Sequence, residues 1–319
     1  MSPAPSPLPP GLGRSFSVAE AREAGVPEGR LRRRDLEAPF WGVRTRRAVR
    51  GAAVDGAGTA LVDGAAARHR ELMDAYGRRM PAHAFFTGLS ALVGWLALLP
   101  EPSPLLEVGT LLPHRAARGV GVHGRQFAPH LVSVRTQEGM RLTSPASTWI
   151  LLAPTLALRD LVAVGSLLIT PPRGTGGRIV APPLTNLDEL RAATAASPRT
   201  GVAAARRALE LIRPGARSRT EVHLWLALVE ASLPEPEFDV PVYDSAGSLI
   251  GIFDLGFPGR AVLVEYQGDY HRLSPDAWAR DIAKRQRARE AGFTVVEITR
   301  RELYPDPALA VARVARALS

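Results

Sequence analysis

No cysteine occurs in the 319 residues. That absence excludes disulfides, thiolate zinc sites and cysteine nucleophiles together, and it fits a protein of the reducing cytoplasm. Long apolar runs are missing as well. Pro, Gly or a charge interrupts each hydrophobic stretch before it reaches the ~20 residues of a membrane-spanning helix, so no membrane partner is implied. The opening MSPAPSPLPPGLGR has no apolar core behind a basic start and does not read as a secretory signal. Its composition predicts a Pro-rich disordered tail over 1–14. Lysine is scarce, Lys284 being a rare one. Arginine therefore supplies nearly all of the formal charge of +9, from 40 basic against 31 acidic residues. Such an excess suits a polyanionic partner, because neutralising phosphates releases condensed counterions. It is equally the mark of an Arg- and Ala-rich coding bias, and the placement of charge has to separate the two.

Residues 15–50 are basic and helical in pattern. In SVAEAREAG, Ser17 is a predicted N-cap with Glu20 closing a capping box, and Gly25 ends the helix. A second helix is expected in VPEGRLRRRDLEAP, and PFWGVRTRRAVR reads as a short strand pair. Two short helices with a tight Gly turn, then a basic β element, outline a winged helix-turn-helix. Residues 61–100 look helical, and 104–142 read as short strands: LLEVGTLL, GVGVHGRQF, LVSVRT and MRLTS. Two further helices complete a mixed α/β middle region over 61–170, whose His83, His114, His123 and His130 lack metal-ligand spacing. The Pro/Gly-rich stretch 171–186 reads as a linker, and 187–319 as a separate domain. The expected class is α+β.

Within that last domain a second capping box, Ser218 and Glu221, opens a helix. The hairpin GIFDLGF–PGR–AVLVEYQG follows. Side chains alternate along a strand, so with the turn centred between Gly259 and Arg260, Asp254 falls directly opposite Glu265. A two-residue Gly-Arg loop, whose leading Gly suits a type II′ turn, or a four-residue Pro-Gly-Arg-Ala loop gives this register. Carboxylates facing each other across a sheet repel, and the surroundings are apolar. A divalent cation would compensate, since Mg²⁺ is typically held by one or two carboxylates plus waters and a substrate phosphate. Glu221 is placed to add a third carboxylate. Alternatively one carboxylate faces solvent, or pairs with Arg260 or Arg272. A helix follows over 275–291, with Trp278 and Ile282 expected in the core and Arg280, Lys284 and Arg287 on one stripe.

The stretches SRTE, IFDLGFPGRAVLVEYQGDYHR and RDIAKRQRAREAGFTVVEIT resemble the Vsr-like branch of the PD-(D/E)XK nuclease superfamily, over roughly a quarter of the chain. The resemblance implies a C-terminal α-β-β-β-α-β restriction-endonuclease-like domain. It also implies Mg²⁺ or Mn²⁺ on Asp254 and Glu265, Glu221 as the helical acidic residue, and Gln267 where that family carries Lys. Gln267 cannot bring the positive charge, which Lys284 or Arg285 could supply from the helix. His271 is a candidate acid or base. The N-terminal segment FSVAEAREAGVPEGRLRRRDLEAPFWGVR resembles the winged-helix domain of AbiEi-type antitoxins. That likeness makes Arg30, Arg32, Arg33, Arg34, Arg44, Arg46 and Arg47 candidate phosphate contacts, joined on the C-terminal helix by Arg280, Lys284, Arg285 and Arg287.

The expected function is a metal-dependent endonuclease acting on DNA. Gln267 favours an alternative, an antitoxin-like transcriptional regulator with an inactive nuclease fold and a cognate toxin or neighbouring-gene partner. A protein-binding role for the C-terminal domain is the third reading.

Overall fold

The computed structural model describes residues 6–47, 64–98, 100, 103–174, 177–197, 200–257, 259–267 and 275–319. These form a mixed α+β protein with twelve α-helices and three sheets among the described residues. Two compact units divide the chain, 1–151 and 152–319.

The first unit opens with β1 (Ser15–Ser17), α1 (Val18–Glu23), α2 (Glu28–Leu31), β2 (Leu36–Glu37) and β3 (Val43–Arg46), the strands ordered β1-β3-β2. Ser17 caps α1 and Glu20 returns its carboxylate to the Ser17 N–H at 2.6 Å, the predicted capping box. Gly25 follows at φ +77°, a conformation that costs a Cβ-bearing residue energy. Strand β1 was not anticipated, and the second helix is a single turn, so Arg32, Arg33 and Arg34 follow it rather than ride on it.

The expected disordered tail also needs correction over 6–14. Leu8 and Leu12 pack with Phe16, Ala21, Val26, Leu31 and Leu36. Arg30 and Arg46 donate to the Ser6 and Leu12 carbonyls at 2.6 and 3.0 Å. The segment turns once, Leu12 N–H donating to the Pro9 carbonyl at 3.1 Å, and the two arginines take carbonyls on either side of that turn's own bond. Residues 1–5, and 48–50 of the expected wing, lie outside the described residues.

Arg30 illustrates how local structure consumes a basic residue. Its guanidinium grips Asp35 at 3.0 and 2.7 Å and is 10% exposed. The Arg30 hydrogen bonds hold the Asp35 carboxyl below its ordinary value. Arg30→Ala is expected to cost about 1–3 kcal/mol, read from urea unfolding. A variant unfolding at the wild-type midpoint would refute the structural role.

The unit continues with α3 (Gly64–Gly77), β4 (Ala84–Phe86), α4 (Gly88–Leu96), β5 (Leu106–Leu111), β6 (Val122–Phe127), β7 (Val134–Gln137), β8 (Met140–Thr143) and α5 (Pro145–Leu152). Strands β5 to β8 lie where alternation predicted them. Strand β4 does not, since 61–100 read as helical. All three of its residues are buried, and it forms the centre of the sheet β6-β5-β4-β8-β7. A strand covered on both faces is continuously apolar and cannot be told from a buried helix by periodicity.

The second unit contains α6 (Leu158–Leu168), α7 (Leu187–Ala195), α8 (Val202–Leu211), α9 (Arg219–Glu230), β9 (Glu237–Tyr243), β10 (Leu249–Gly256), β11 (Val262–Gln267), α10 (Pro275–Glu290), β12 (Thr294–Thr299), α11 (Arg300–Leu303) and α12 (Ala308–Leu318). Helix α6 packs on α8 and α9, so it belongs here and not to a middle domain ending at 170. The stretch 171–186 likewise runs within this unit, Arg173 holding Asp239 at 2.6 Å. The sheet order is β12-β11-β10-β9, parallel between β11 and β12 and antiparallel elsewhere. Phe253, Leu263 and Val295 of the sheet pack with Ala288 of α10, while Trp225 of α9 stacks on Phe238 at 5.8 Å.

Candidate active site

The hairpin register is the expected one: Leu255 pairs with Val264 and Gly256 with Leu263. Phe257 N–H donates to the Val262 carbonyl and Arg260 N–H to the Phe257 carbonyl, both at 3.1 Å, which selects the four-residue loop. Gly259, at φ +69°, takes the third position of that turn, as in type II and not type II′. The ladder stops at Leu255 and Val264, and Asp254 and Glu265 are the next residues of the two strands. There the Asp254 Oδ2 accepts the Tyr266 N–H at 2.7 Å, so the carboxylate is fixed against the neighbouring strand.

Three carboxyl groups sense one another at this point. Glu221, in the first turn of α9, is 7% exposed, and its Oε2 accepts the Arg217 N–H at 2.7 Å. The N-cap half of the predicted box is present, with the Ser218 hydroxyl accepting from Glu221 N–H at 3.1 Å. Burial, and then the charge of Asp254, pushes Glu221 up to about 8. Burial also raises Asp254, to about 6; the Tyr266 N–H opposes that rise and the Glu265 charge adds to it. Glu265 itself is buried and takes the Lys284 ammonium on Oε1, with Arg285 3.6 Å from Oε2.

Lys284 is the only lysine among the 40 basic residues of the chain. Its Nζ also donates to the Ile252 carbonyl at 3.0 Å and lies 4.5 Å from the centre of the Phe253 ring. A Cβ at position 251 would collide with the lysine stem, so Gly251 keeps open the channel that admits it. In a chain that uses arginine everywhere else, a single lysine at the buried carboxylate marks a place where a planar, five-donor guanidinium would not serve. The ammonium is a compact point charge on a narrow stem.

The remaining predicted residues are distributed differently. Gln267 ends β11, level with Thr299 of β12 and partly buried. His271 lies outside the described residues. The basic stripe on α10 is not a uniform solvated face. Arg280 is exposed, Lys284 turns toward Glu265, Arg285 is buried between Glu265 and Glu297, and Arg287 pairs with Asp244 at 3.2 Å. Ile282, expected in the core, is 41% exposed. In the first unit Arg30, Arg44 and Arg46 serve the local fold, Arg44 donating to the Leu31 carbonyl at 2.8 Å. Arg47 reaches Glu37 at 3.3 Å, and Arg32 lies 3.6 Å from Glu28. Arg32, Arg33 and Arg34 are exposed.

Sequence reasoning did not find a second buried network. His223 Nε2 lies 3.0 Å from Asp160 Oδ1, and its Nδ1 lies 2.6 Å from the Tyr304 hydroxyl. Arg219 also bonds Asp160. The His223 and Arg219 hydrogen bonds outweigh burial and hold Asp160 down at about 2, while burial pushes Tyr304 up to about 12.

No protein-family model matches the sequence. Two curated proteins of Mycobacterium tuberculosis, Uncharacterized protein MT2308 and Uncharacterized protein Rv2248, are 28% identical to it over 120 residues. The matched stretch is 38% of this chain and 44% of each relative, so the chain spans less than half the length of the curated relatives it matches.

Donor chemistry decides whether a divalent cation suits the site. Among the described residues no set of three or more His, Asp or Glu side chains is gathered to hold one. The carboxylates of Asp254 and Glu265 nevertheless form the small, hard oxygen set that Mg²⁺ or Mn²⁺ accepts when waters and a phosphate complete the shell. Burial first, and mutual repulsion after it, raises Glu221 and Asp254, and a bound cation would favour their ionised forms against both.

Proposed function

We propose that the second unit is a metal-dependent phosphodiesterase acting on DNA and that the first unit supplies DNA-binding contacts. The observation that carries this reading is the meeting of Glu265, Asp254 and the only lysine at the end of a β-hairpin, with Glu221 beside them. Asp254 and Glu265 would hold Mg²⁺ or Mn²⁺, which when bound supplies Lewis acidity and an activated water. Lys284 brings positive charge to the reacting phosphate from the helix, the part that Gln267 cannot play. Gln267 orients a water through its amide, and Glu221 adds negative charge behind Asp254. The order α9-β9-β10-β11-α10-β12 supports the nuclease-like reading of this unit, and the order β1-α1-α2-β2-β3 supports the winged-helix reading of the first.

The test is cleavage of plasmid and single-stranded DNA by purified protein with Mn²⁺. Asp254→Asn is expected to lower the rate by about 100-fold or more. Wild-type protein that leaves both substrates intact over a wide range of concentration, while binding Mn²⁺, removes the enzymatic reading.

A second reading, an antitoxin-like regulator, is favoured by Gln267 and by the exposed Arg32, Arg33 and Arg34. It predicts a footprint on its own promoter that survives Asp254→Ala and is lost on replacing the three arginines.

A further inference from the structure

The buried network around Tyr304 is not used by the proposed chemistry, and its surroundings carry unbalanced charge. Arg159, in the first turn of α6, and Arg300, at the start of α11, both lie over the Tyr304 ring, their guanidinium carbons 5.9 and 5.7 Å from its centre. The hydroxyl of that ring is tied to His223, and His223 to Asp160, so the platform beneath the two arginines is anchored in the interior. Asp160 is matched by Arg219, and Glu302 by Arg313. Among the described residues, Arg159 and Arg300 have no carboxylate partner, and both are exposed. Each guanidinium thus rests on the Tyr304 ring, and an exposed ring face offers a cation only a small part of what an anion would.

We propose that Arg159 and Arg300, held over Tyr304, form a phosphate-binding cup that takes a backbone phosphate of the nucleic acid next to the carboxylate site. The proposal rests on the phosphodiesterase reading for its ligand, although the cup is a site of its own. Helix α9 connects the two. Its first turn brings Glu221 beside Asp254, and two residues on, His223 Nδ1 lies 2.6 Å from the Tyr304 hydroxyl. A strand whose scissile phosphate lies at Asp254 and Glu265 would thus have a neighbouring phosphate clamped by guanidinium groups, which bind phosphate in a bidentate fork. Tyr304, His223 and Asp160 act as positioning residues. They fix the direction of the arginines and touch no substrate.

The experiment measures binding of a labelled DNA duplex and of single-stranded DNA to the full chain, without divalent metal, as a function of salt. Arg159→Ala and Arg300→Ala are each expected to weaken binding about 5- to 20-fold and to lower the salt slope by about one phosphate contact. Asp254→Asn should lower cleavage by about 100-fold or more without the loss of affinity seen in the arginine variants, so failure of the cup and failure of the enzymatic reading are told apart. Tyr304→Phe, which keeps the ring and removes the tie to His223, is expected to reproduce part of the affinity loss with the salt slope intact. Inorganic phosphate, followed by calorimetry, identifies the source. If the arginine variants lose phosphate affinity but keep DNA affinity, the cup serves a small phosphate compound and the nucleic-acid assignment falls. Wild-type affinity and slope for both ligands in both arginine variants overturn the proposal.

Discussion

Replacing Lys284 with arginine is expected to abolish metal-dependent cleavage, by about 100-fold or more, in a protein that still binds DNA. The swap preserves charge, so the expectation rests on shape. Lys284 runs past Gly251, where even a Cβ would collide with it, and ends between the Glu265 carboxylate, the Ile252 carbonyl and the Phe253 ring. A guanidinium is wider than an ammonium and presents its donors in a fixed plane, so it cannot meet these three partners from the same stem. Lys284→Met goes further, leaving Glu265 buried with Arg285, 3.6 Å away, as the only other cation among the described residues. Breaking a buried pair from one side typically costs ~3–5 kcal/mol. With that second cation present and the lysine 21% exposed, roughly 2–3 kcal/mol is the expected loss.

The double variant Lys284→Met, Glu265→Gln separates the two roles. It removes both charges, so stability should return to near the wild-type value while cleavage stays lost. Because Lys284 is the only lysine, reductive methylation with a ¹³C label places one reporter on a side chain at the site. Its resonance should shift when Mn²⁺ or Mg²⁺ is added to wild-type protein and stay in place in Asp254→Asn. An arginine variant that cuts DNA at the wild-type rate would remove the lysine from the chemistry and reduce its pairing to a structural contact.

Much of this site could be read from the sequence because its rules are local. Strand alternation and the Pro-Gly-Arg-Ala loop determine the hairpin register, and Asp254 and Glu265 follow directly on its last pair, Leu255 and Val264. The gap at Gln267 likewise directed attention to Lys284 or Arg285, both of which reach Glu265. What escaped depends on tertiary context. Strand β4 is buried on both faces and loses the alternation that would identify it. Leu8 and Leu12 become core only because Phe16, Ala21 and Leu31 offer them a surface. Ile282 is apolar in type yet faces outward, since α10 spends its inward positions on Lys284, Arg285 and Ala288. The Asp160–His223–Tyr304 network joins residues from three helical regions, His223 and Tyr304 being 81 positions apart, and no spacing rule anticipates such a meeting.

The second large effect is on stability against pH. Glu221 and Asp254 are raised by burial and mutual repulsion, to about 8 and about 6. A raised carboxyl holds its proton in the folded state at pH values where the unfolded chain, titrating near 4, has released it. The folded state therefore binds more protons over this window, and stability falls as pH rises. The contribution of the pair is fully present below about pH 4 and is lost as pH climbs through 6 toward 8. The full excursion amounts to several kcal/mol. Asp160, held down at about 2, acts in the opposite sense, its contribution being lost as pH falls from 4 toward 2. Metal-free protein should accordingly be most stable near pH 4–5, well below neutrality. Denaturant unfolding with a chelator present, repeated from pH 4 to 9, reads this directly. Glu221→Gln should flatten the decline and raise stability at pH 8. Saturating Mg²⁺ or Mn²⁺ should do the same in wild-type protein, because the ion favours both ionised carboxylates and displaces about one proton at neutral pH. A metal-free profile that is flat or rising between pH 5 and 8 would mean that Glu221 and Asp254 do not burden the fold, and the case for a cation at the site would lose its physical basis.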